Sequence, residues 1–173
     1  MSEKISFHSL RIQDLGGFEN KILQQELQNV VSKTLLDLKS KYKTLTLLTG
    51  LNLGIETWSA ENALLLKIPY IVYVPFDNPS NKWPKFSQDK YNRLITQAQQ
   101  VKICDTGSFS IQKMRNKEEQ IIKDSTILCL CYPRVTIDCK RLNKFKNEKR
   151  ILDIWPLNTK DEYFINIRAN VEL

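Results

Sequence analysis

Apolar residues along the chain fall into alternating strand-like and helix-like periods. Residues 5–8 form a short strand pattern. Residues 19–42 then place Leu23, Leu27, Val30, Val31, Leu35 and Leu38 at helical spacing, an amphipathic helix of about six turns. Residues 45–49 read as a buried strand, Gly50 and Gly54 break the pattern, and 55–67 resume helical spacing through Trp58, Ala63, Leu64 and Leu66 until Pro69 stops it. The β-branched and aromatic run 70–74 predicts a third strand ending at Pro75. Residues 76–86, with Pro79 and Pro84, read as an ordered irregular loop, after which Ser87 is placed to cap a helix running to 99. Residues 101–104 predict a fourth strand, 111–124 a helix, 126–132 a continuously apolar fifth strand and 150–155 a sixth.

Apolar strands joined by helices require parallel pairing through right-handed crossovers, which puts helices on both faces of the sheet. The expected fold is therefore α/β: a single Rossmann-like three-layer domain with a mostly parallel sheet of about six strands. It should occupy residues 1–157, with 158–173 as a C-terminal extension that suits either an edge strand or a tail. Ligands of such sheets bind beyond the carboxyl ends of the strands, where strand order reverses, so the loops after the strands are where chemistry is expected.

Composition narrows the class. At 42% hydrophobic and 26% charged residues the chain is neither disordered nor fibrous, and 173 residues suffice for a buried core. No apolar run reaches the ~20 residues of a membrane span, and Met1-Ser2-Glu3-Lys4 leads straight into a strand pattern, so the expectation is a cytoplasmic protein without a membrane partner. Of the 4 cysteines, Cys129 and Cys131 alternate on one face of a buried strand, which suits neither a disulfide framework nor a metal site. No metal and no cofactor are expected. The net charge of +7 favours an anionic partner, and its densest segment runs from Lys140 to Arg150 with Phe145 as its one aromatic.

The segment Thr49-Gly-Leu-Asn-Leu-Gly-Ile-Glu-Thr-Trp-Ser-Ala-Glu61 joins a strand to a helix through a turn holding Gly50, Asn52 and Gly54. Glycines let backbone N–H groups approach an anion, and the helix N-terminus adds about half a positive charge, so a phosphate suits this turn; a plain tight turn accounts for the same glycines. Glu56 is either a dipole-stabilising residue or a ligand contact. Glu61, three residues after Trp58, needs a cationic partner or a function. Arg115 and Asn116, flanked by Lys113 and Lys117, lie early in a helix whose dipole disfavours a cation unless an anion is near. The loop containing Phe76 and Trp83 offers rings for base stacking, or is simply packed; His8 and Arg11 follow the first strand and can reach the same mouth. No P-loop, nucleophile elbow or metal-ligand spacing is present, which favours binding over turnover.

In this order, the segments resemble the YpsA-like branch of the SLOG superfamily, a Rossmann-like group that includes DprA-like and Lonely-guy (lysine-decarboxylase-like) proteins. The resemblance runs from about residue 5 to 155. It rests on His8 to Gly17 closing on Leu-Gly-Gly, on the glycine turn followed by Glu56, Trp58 and Ala60-Glu61, on Val74-Pro-Phe with Trp83 and Tyr91, and on Arg115-Asn116 before the fifth strand. The chain departs from the branch where a Gly-Gly-Thr turn usually follows that strand: 132–139 contains no glycine, and Arg134 and Thr136 stand where glycine amides would.

The resemblance implies a nucleotide or nucleotide-derived signalling ligand, sensed or sequestered, as in anti-phage defence or its countermeasures. A homodimer or higher homo-oligomer is compatible with this reading. The ligand-binding set expected is His8, Arg11, Gly50, Asn52, Gly54, Glu56, Trp58, Phe76, Trp83, Arg115 and Asn116. Two alternatives stand beside it: a nucleotide or N-glycosidic-bond hydrolase using Glu56 or Glu61, and a DprA-like nucleic-acid-binding protein.

Overall fold

A computed structural model describes residues 2–17, 19–132 and 148–156. The C-terminal extension, most of the basic segment 140–150 and the glycine-free stretch with Arg134 and Thr136 lie outside the described residues.

Among the described residues six strands and four α-helices follow in the order β1 (Ser2–Ser9), α1 (Lys21–Lys41), β2 (Thr44–Thr49), α2 (Ile55–Leu65), β3 (Tyr70–Val74), α3 (Lys85–Thr96), β4 (Gln100–Ile103), α4 (Ile111–Asp124), β5 (Ile127–Cys131) and β6 (Arg150–Asp153). The sheet order is β4-β3-β2-β1-β5-β6, and every pair is parallel. The fold is thus the Rossmann-like α/β sandwich, with strand order reversing between β1 and β5.

The side-chain period of 2 in the strands separates two faces. Ile5, Phe7, Leu47, Val72, Ile127 and Cys129 point to one face and are buried against Leu23, Leu27, Val31 and Leu35 of α1, Ala60 and Ala63 of α2 and Leu94 of α3. Leu48 and Tyr73 point to the other and meet Ile121 of α4, beside Leu128 with Ile122. Both Cys129 and Cys131 are fully buried, and burial pushes the Cys129 thiol up to about 12.

Three differences from the sequence expectation bear on the fold. β1 begins at Ser2, because its backbone pairs with β2 from Thr44 onward whatever the side-chain pattern. A 3₁₀ turn, Ile12–Leu15, follows β1 and buries Ile12 and Leu15. α3 begins at Lys85 with Pro84 as its N-cap, so Ser87 lies inside the helix, buried and with no hydrogen-bond partner for its hydroxyl among the described residues. Proline, with no N–H and its φ fixed, suits the helix entry, which moves the start ahead of the serine.

Among the described residues no helix is long and apolar enough to cross a membrane.

Candidate functional site

A cavity of about 900 Å³ opens beyond the carboxyl ends of the strands, a volume within the range of small-ligand sites. It is built from the loops after β1, β2, β3 and β4 and from the first two turns of α4. Of the residues expected at a site, it brings together His8, Arg11, Gly50, Asn52, Glu56, Phe76, Trp83 and Arg115.

The glycine turn closes on itself. Glu56 sits in the first turn of α2 and reaches back, so that its Oε2 accepts from the Gly50 N–H at 2.7 Å and from the Asn52 N–H at 3.3 Å. Its Oε1 accepts from Asn52 Nδ2 at 2.9 Å. Between the two amides Leu51 adopts φ +56°, the left-handed conformation that curves successive N–H groups into a concave anion nest. Leu51 is a β-unbranched residue buried completely in the core, which offsets the cost of that conformation, of order 1–2 kcal/mol. The nest in which the sequence suggests a phosphate therefore already holds a carboxylate of the chain itself.

β1 contributes His8, buried at 5% exposure. Its Nε2 lies 2.8 Å from Ser6 Oγ, which in turn lies 2.8 Å from Ser125 Oγ at the end of α4. Its Nδ1 stands 3.8 Å from Glu118 Oε1. A hydroxyl chain on one side and a carboxylate on the other fix the ring orientation, and His8 lines the cavity. Arg11, just beyond the strand, is 80% exposed in its side chain and forms a two-point pair with Asp14 at 2.9 and 3.2 Å.

The loop after β3 is ordered by its own backbone. The Asp77 N–H donates to Gly107 O at 3.0 Å and the Gly107 N–H donates to Asp77 Oδ2 at 2.9 Å, tying the β3 and β4 loops together. Gln88 of α3 donates to the carbonyl of Trp83 at 2.8 Å. Phe76 is buried and meets the exposed ring of Phe109 edge-on, with centroids 5.5 Å apart. Trp83 packs edge-on against Tyr91 at 5.6 Å, and burial pushes the Tyr91 phenol up to about 12.

Four expected residues fall outside the cavity lining. Gly54 is the N-cap of α2 at φ +102° and serves the turn, its carbonyl accepting from Thr57 Oγ1 at 2.8 Å. Trp58 belongs to the core on the α1 side of the sheet. Glu61 is drawn off by α3, pairing with Lys90 and with Arg93 at 3.2 Å each, the cationic partner that its place in the helix demanded. Asn116 lies on the exposed side of α4, where its Oδ1 accepts from Gln112 one turn earlier at 2.7 Å.

One residue that reads in the sequence as a flanking charge stands inside. Lys117 is 1% exposed and lines the cavity, and its Nζ has no hydrogen-bond partner among the described residues. A helical count from the apolar Ile121 back by four residues puts a lysine on the buried stripe of α4, a signal that a reading of the local charge run passes over.

A family model, YpsA (YspA SLOG family), matches residues 8–150. A UPF0398 protein of Brevibacillus brevis is 31% identical over 86 residues, covering 46% of this chain and 46% of that protein. A UPF0398 protein of Lactobacillus acidophilus is 23% identical over 155 residues, covering 82% of this chain and 83% of that protein. The chain thus spans less than half of the first relative's length and most of the second's. The X-ray structure of DNA processing protein A (DprA) from Streptococcus pneumoniae aligns with a TM-score of 0.34 at 15% identity, over 99% of this chain and 62% of that one. Because the family match runs from within β1 to the start of β6, and so takes in the whole of the cavity, the chain belongs to the YpsA SLOG family.

Proposed function

We propose that this domain binds a nucleotide or nucleotide-derived ligand in the cavity at the carboxyl edge of its sheet, and that it senses or sequesters the ligand rather than turning it over. The observation that carries this reading is the composition of the lining. Cationic Arg11, Arg115 and Lys117 share one cavity with the rings of Phe76, Trp83 and Phe109, the two chemistries that a base and a phosphate require of a single site. Family membership supports a nucleotide-related role, and the position beside the reversal of strand order is where parallel sheets place such ligands.

A thermal-shift screen of mono-, di- and cyclic nucleotides and ADP-ribose derivatives tests it. A ligand at 100 times its dissociation constant adds about 2.7 kcal/mol, a shift of a few degrees for a domain of this size. No shift with any of them, in folded protein shown to be free of co-purified ligand, would move the function to protein interaction.

A hydrolase is the second reading, favoured by the carboxylate of Glu56 inside the cavity. Its three hydrogen bonds to the turn are those of a structural brace. Recovery of the ligand intact after long incubation with the protein separates binding from turnover. Nucleic-acid binding is the weaker partner reading, and a steep loss of affinity with salt is its signature.

A further inference from the structure

We infer that the Gly50–Asn52 nest is a phosphate site which the Glu56 carboxylate plugs in the free protein, and that a phosphate group opens it by displacing that carboxylate and taking Lys117 as its counter-ion.

The plug shows what the nest accepts. One oxygen of Glu56 serves the backbone amides of Gly50 and Asn52 and the other serves Asn52 Nδ2, so an anionic group already satisfies the donors of the turn. The N-terminus of α2 adds about half a positive charge behind them. Both oxygens of the carboxylate are then engaged, and Lys117 beside it goes without an acceptor. The lysine is 1% exposed, and its Nζ lies 2.5 Å from the point a Cβ on Gly50 would occupy, with Glu56 Oε2 3.0 Å from the same point. Even so, that Nζ has no hydrogen-bond partner among the described residues. Lys113, one turn earlier in α4, places its amine on the carbonyls of Thr106 and Ser108. A buried ammonium with three donors and no acceptor is a costly group, and one at the rim of an anion nest is explained by an anion with more oxygens than the one now in it.

Phosphate fits that count. A monoester has three free oxygens in a tetrahedral array and about −1.5 to −2 charge at neutral pH, against two coplanar oxygens and a single charge for a carboxylate. Two of its oxygens repeat the bonds of Glu56, and the third reaches Lys117. Because the lysine fills the space over Gly50, the phosphate takes the position of the leaving carboxylate and not the space over the glycine. Glu56 is free to leave, since it is half-buried and lines the cavity, where its side chain turns toward water. Arg11 keeps its pair with Asp14 throughout. The plug also selects among ligands: a hydroxyl or a lone carboxylate offers Lys117 nothing beyond what the nest already has, and does not displace Glu56.

That the phosphate belongs to a nucleotide rests on the function proposed above, whereas the site is tested without one. Wild type, Glu56→Ala, Glu56→Gln and the double variant Glu56→Gln/Lys117→Met are titrated with inorganic phosphate by calorimetry at constant ionic strength, and their melting is compared in chloride and in phosphate. With the plug removed, Glu56→Ala should bind phosphate at least tenfold more tightly than the wild type, and should regain in phosphate most of the melting temperature that it loses in chloride. Glu56→Gln keeps the shape and drops the charge, so its affinity should fall between the two, and it carries the test if Glu56→Ala does not fold. The double variant should lose the gain. A phosphate affinity no higher in Glu56→Ala or Glu56→Gln than in the wild type, or a gain that survives Lys117→Met, overturns the site. AMP and GMP then separate it from the nucleotide reading. A nucleotide bound by the wild type should bind Lys117→Met at least tenfold more weakly and Glu56→Gln more tightly, and one indifferent to both substitutions overturns the plug. If neither nucleotide binds while Glu56→Gln takes up phosphate, the nucleotide reading fails and the phosphate site stands.

Discussion

Lys117 of α4 and Gly50 of the β2–α2 turn approach so closely that a Cβ on Gly50 would stand 2.5 Å from the lysine Nζ and 3.0 Å from its Cδ. The turn that the sequence marks with glycine is narrow because a side chain from the opposite layer of the sandwich reaches over it. Gly50→Ala therefore displaces the flexible end of Lys117 rather than the backbone. Its cost in stability should be only about 1 kcal/mol, while affinity for a nucleotide ligand should fall at least tenfold. Chemical denaturation and calorimetry on one preparation read the two effects separately.

Gly54 provides the converse. Its φ of +102° is a conformation that residues with a Cβ rarely adopt, and it lies outside the cavity lining, where an added methyl would meet Ile12 Cβ at 3.7 Å, an ordinary contact. Gly54→Ala should cost about 1–3 kcal/mol of stability through backbone strain alone. Ligand affinity, measured well below the melting transition, should stay within twofold of wild type.

The two glutamates of α2 should separate in the same way. Removing the Glu56 carboxylate leaves the Gly50 and Asn52 amides without their acceptor, which predicts a loss of about 1–3 kcal/mol for Glu56→Ala. Glu61 holds two partly exposed cations of α3, and such pairs contribute below about 1 kcal/mol, so Glu61→Ala should be nearly silent in stability and silent in binding. Urea midpoints that rank the two variants in the opposite order would contradict the brace assigned to Glu56.

The order of elements, the parallel sheet and the buried Cys129–Cys131 face were legible because apolar periods of 2 and 3.6 are local properties. Contacts made by residues distant in sequence were not. Glu61 reads as an unpaired carboxylate on the packed side of α2 until Lys90 and Arg93 arrive from a helix some thirty residues on. The phosphate reading of the glycine turn depends on free amides, and whether Glu56 folds back onto them depends on the left-handed Leu51, which a leucine gives no reason to expect. Lys117 was partly legible, since its spacing from Ile121 already places a charge on an apolar stripe.

Away from the cavity, Asp124 at the end of α4 accepts from Tyr73 Oη at 2.6 Å and pairs with Lys102 at 2.9 Å, joining α4 to β3 and β4. Burial alone would raise its pKa, and the hydrogen bonds from Tyr73 and Lys102 overcome that and hold it below the ordinary 3.8. A carboxyl depressed in the folded state stabilises the fold above its unfolded value and loses that contribution as pH falls through the folded one. With a third of the side chain open to solvent, Asp124→Asn should cost about 1 kcal/mol at neutral pH. The gap between variant and wild type should shrink only below pH 3.8, and melting curves from pH 7 to pH 2.5 follow it.

The cavity's rings decide whether a base is part of what it holds. Phe76 is buried and its removal would disturb the core, so it cannot separate packing from recognition. Phe109 can, because it is 61% exposed, touches Phe76 edge-on and still lines the cavity. An exposed ring contributes little to folding, and Phe109→Ala should shift the stability by less than about 0.5 kcal/mol. Stacking of a base on an aromatic ring is worth about 1–3 kcal/mol, so affinity for the best nucleotide should drop by about five- to 150-fold. Ribose 5-phosphate, which keeps the sugar and the phosphate and lacks the base, serves as the control. If Phe109 meets the base, the variant binds ribose 5-phosphate as the wild type does, and the two ligands converge in affinity. If both affinities fall together, Phe109 acts by shaping the β4–α4 loop, and the base makes no use of it. If neither changes, the ligand occupies the β1 and β2 side of the cavity alone, between His8 and Glu56, and the aromatic loop after β3 is packing.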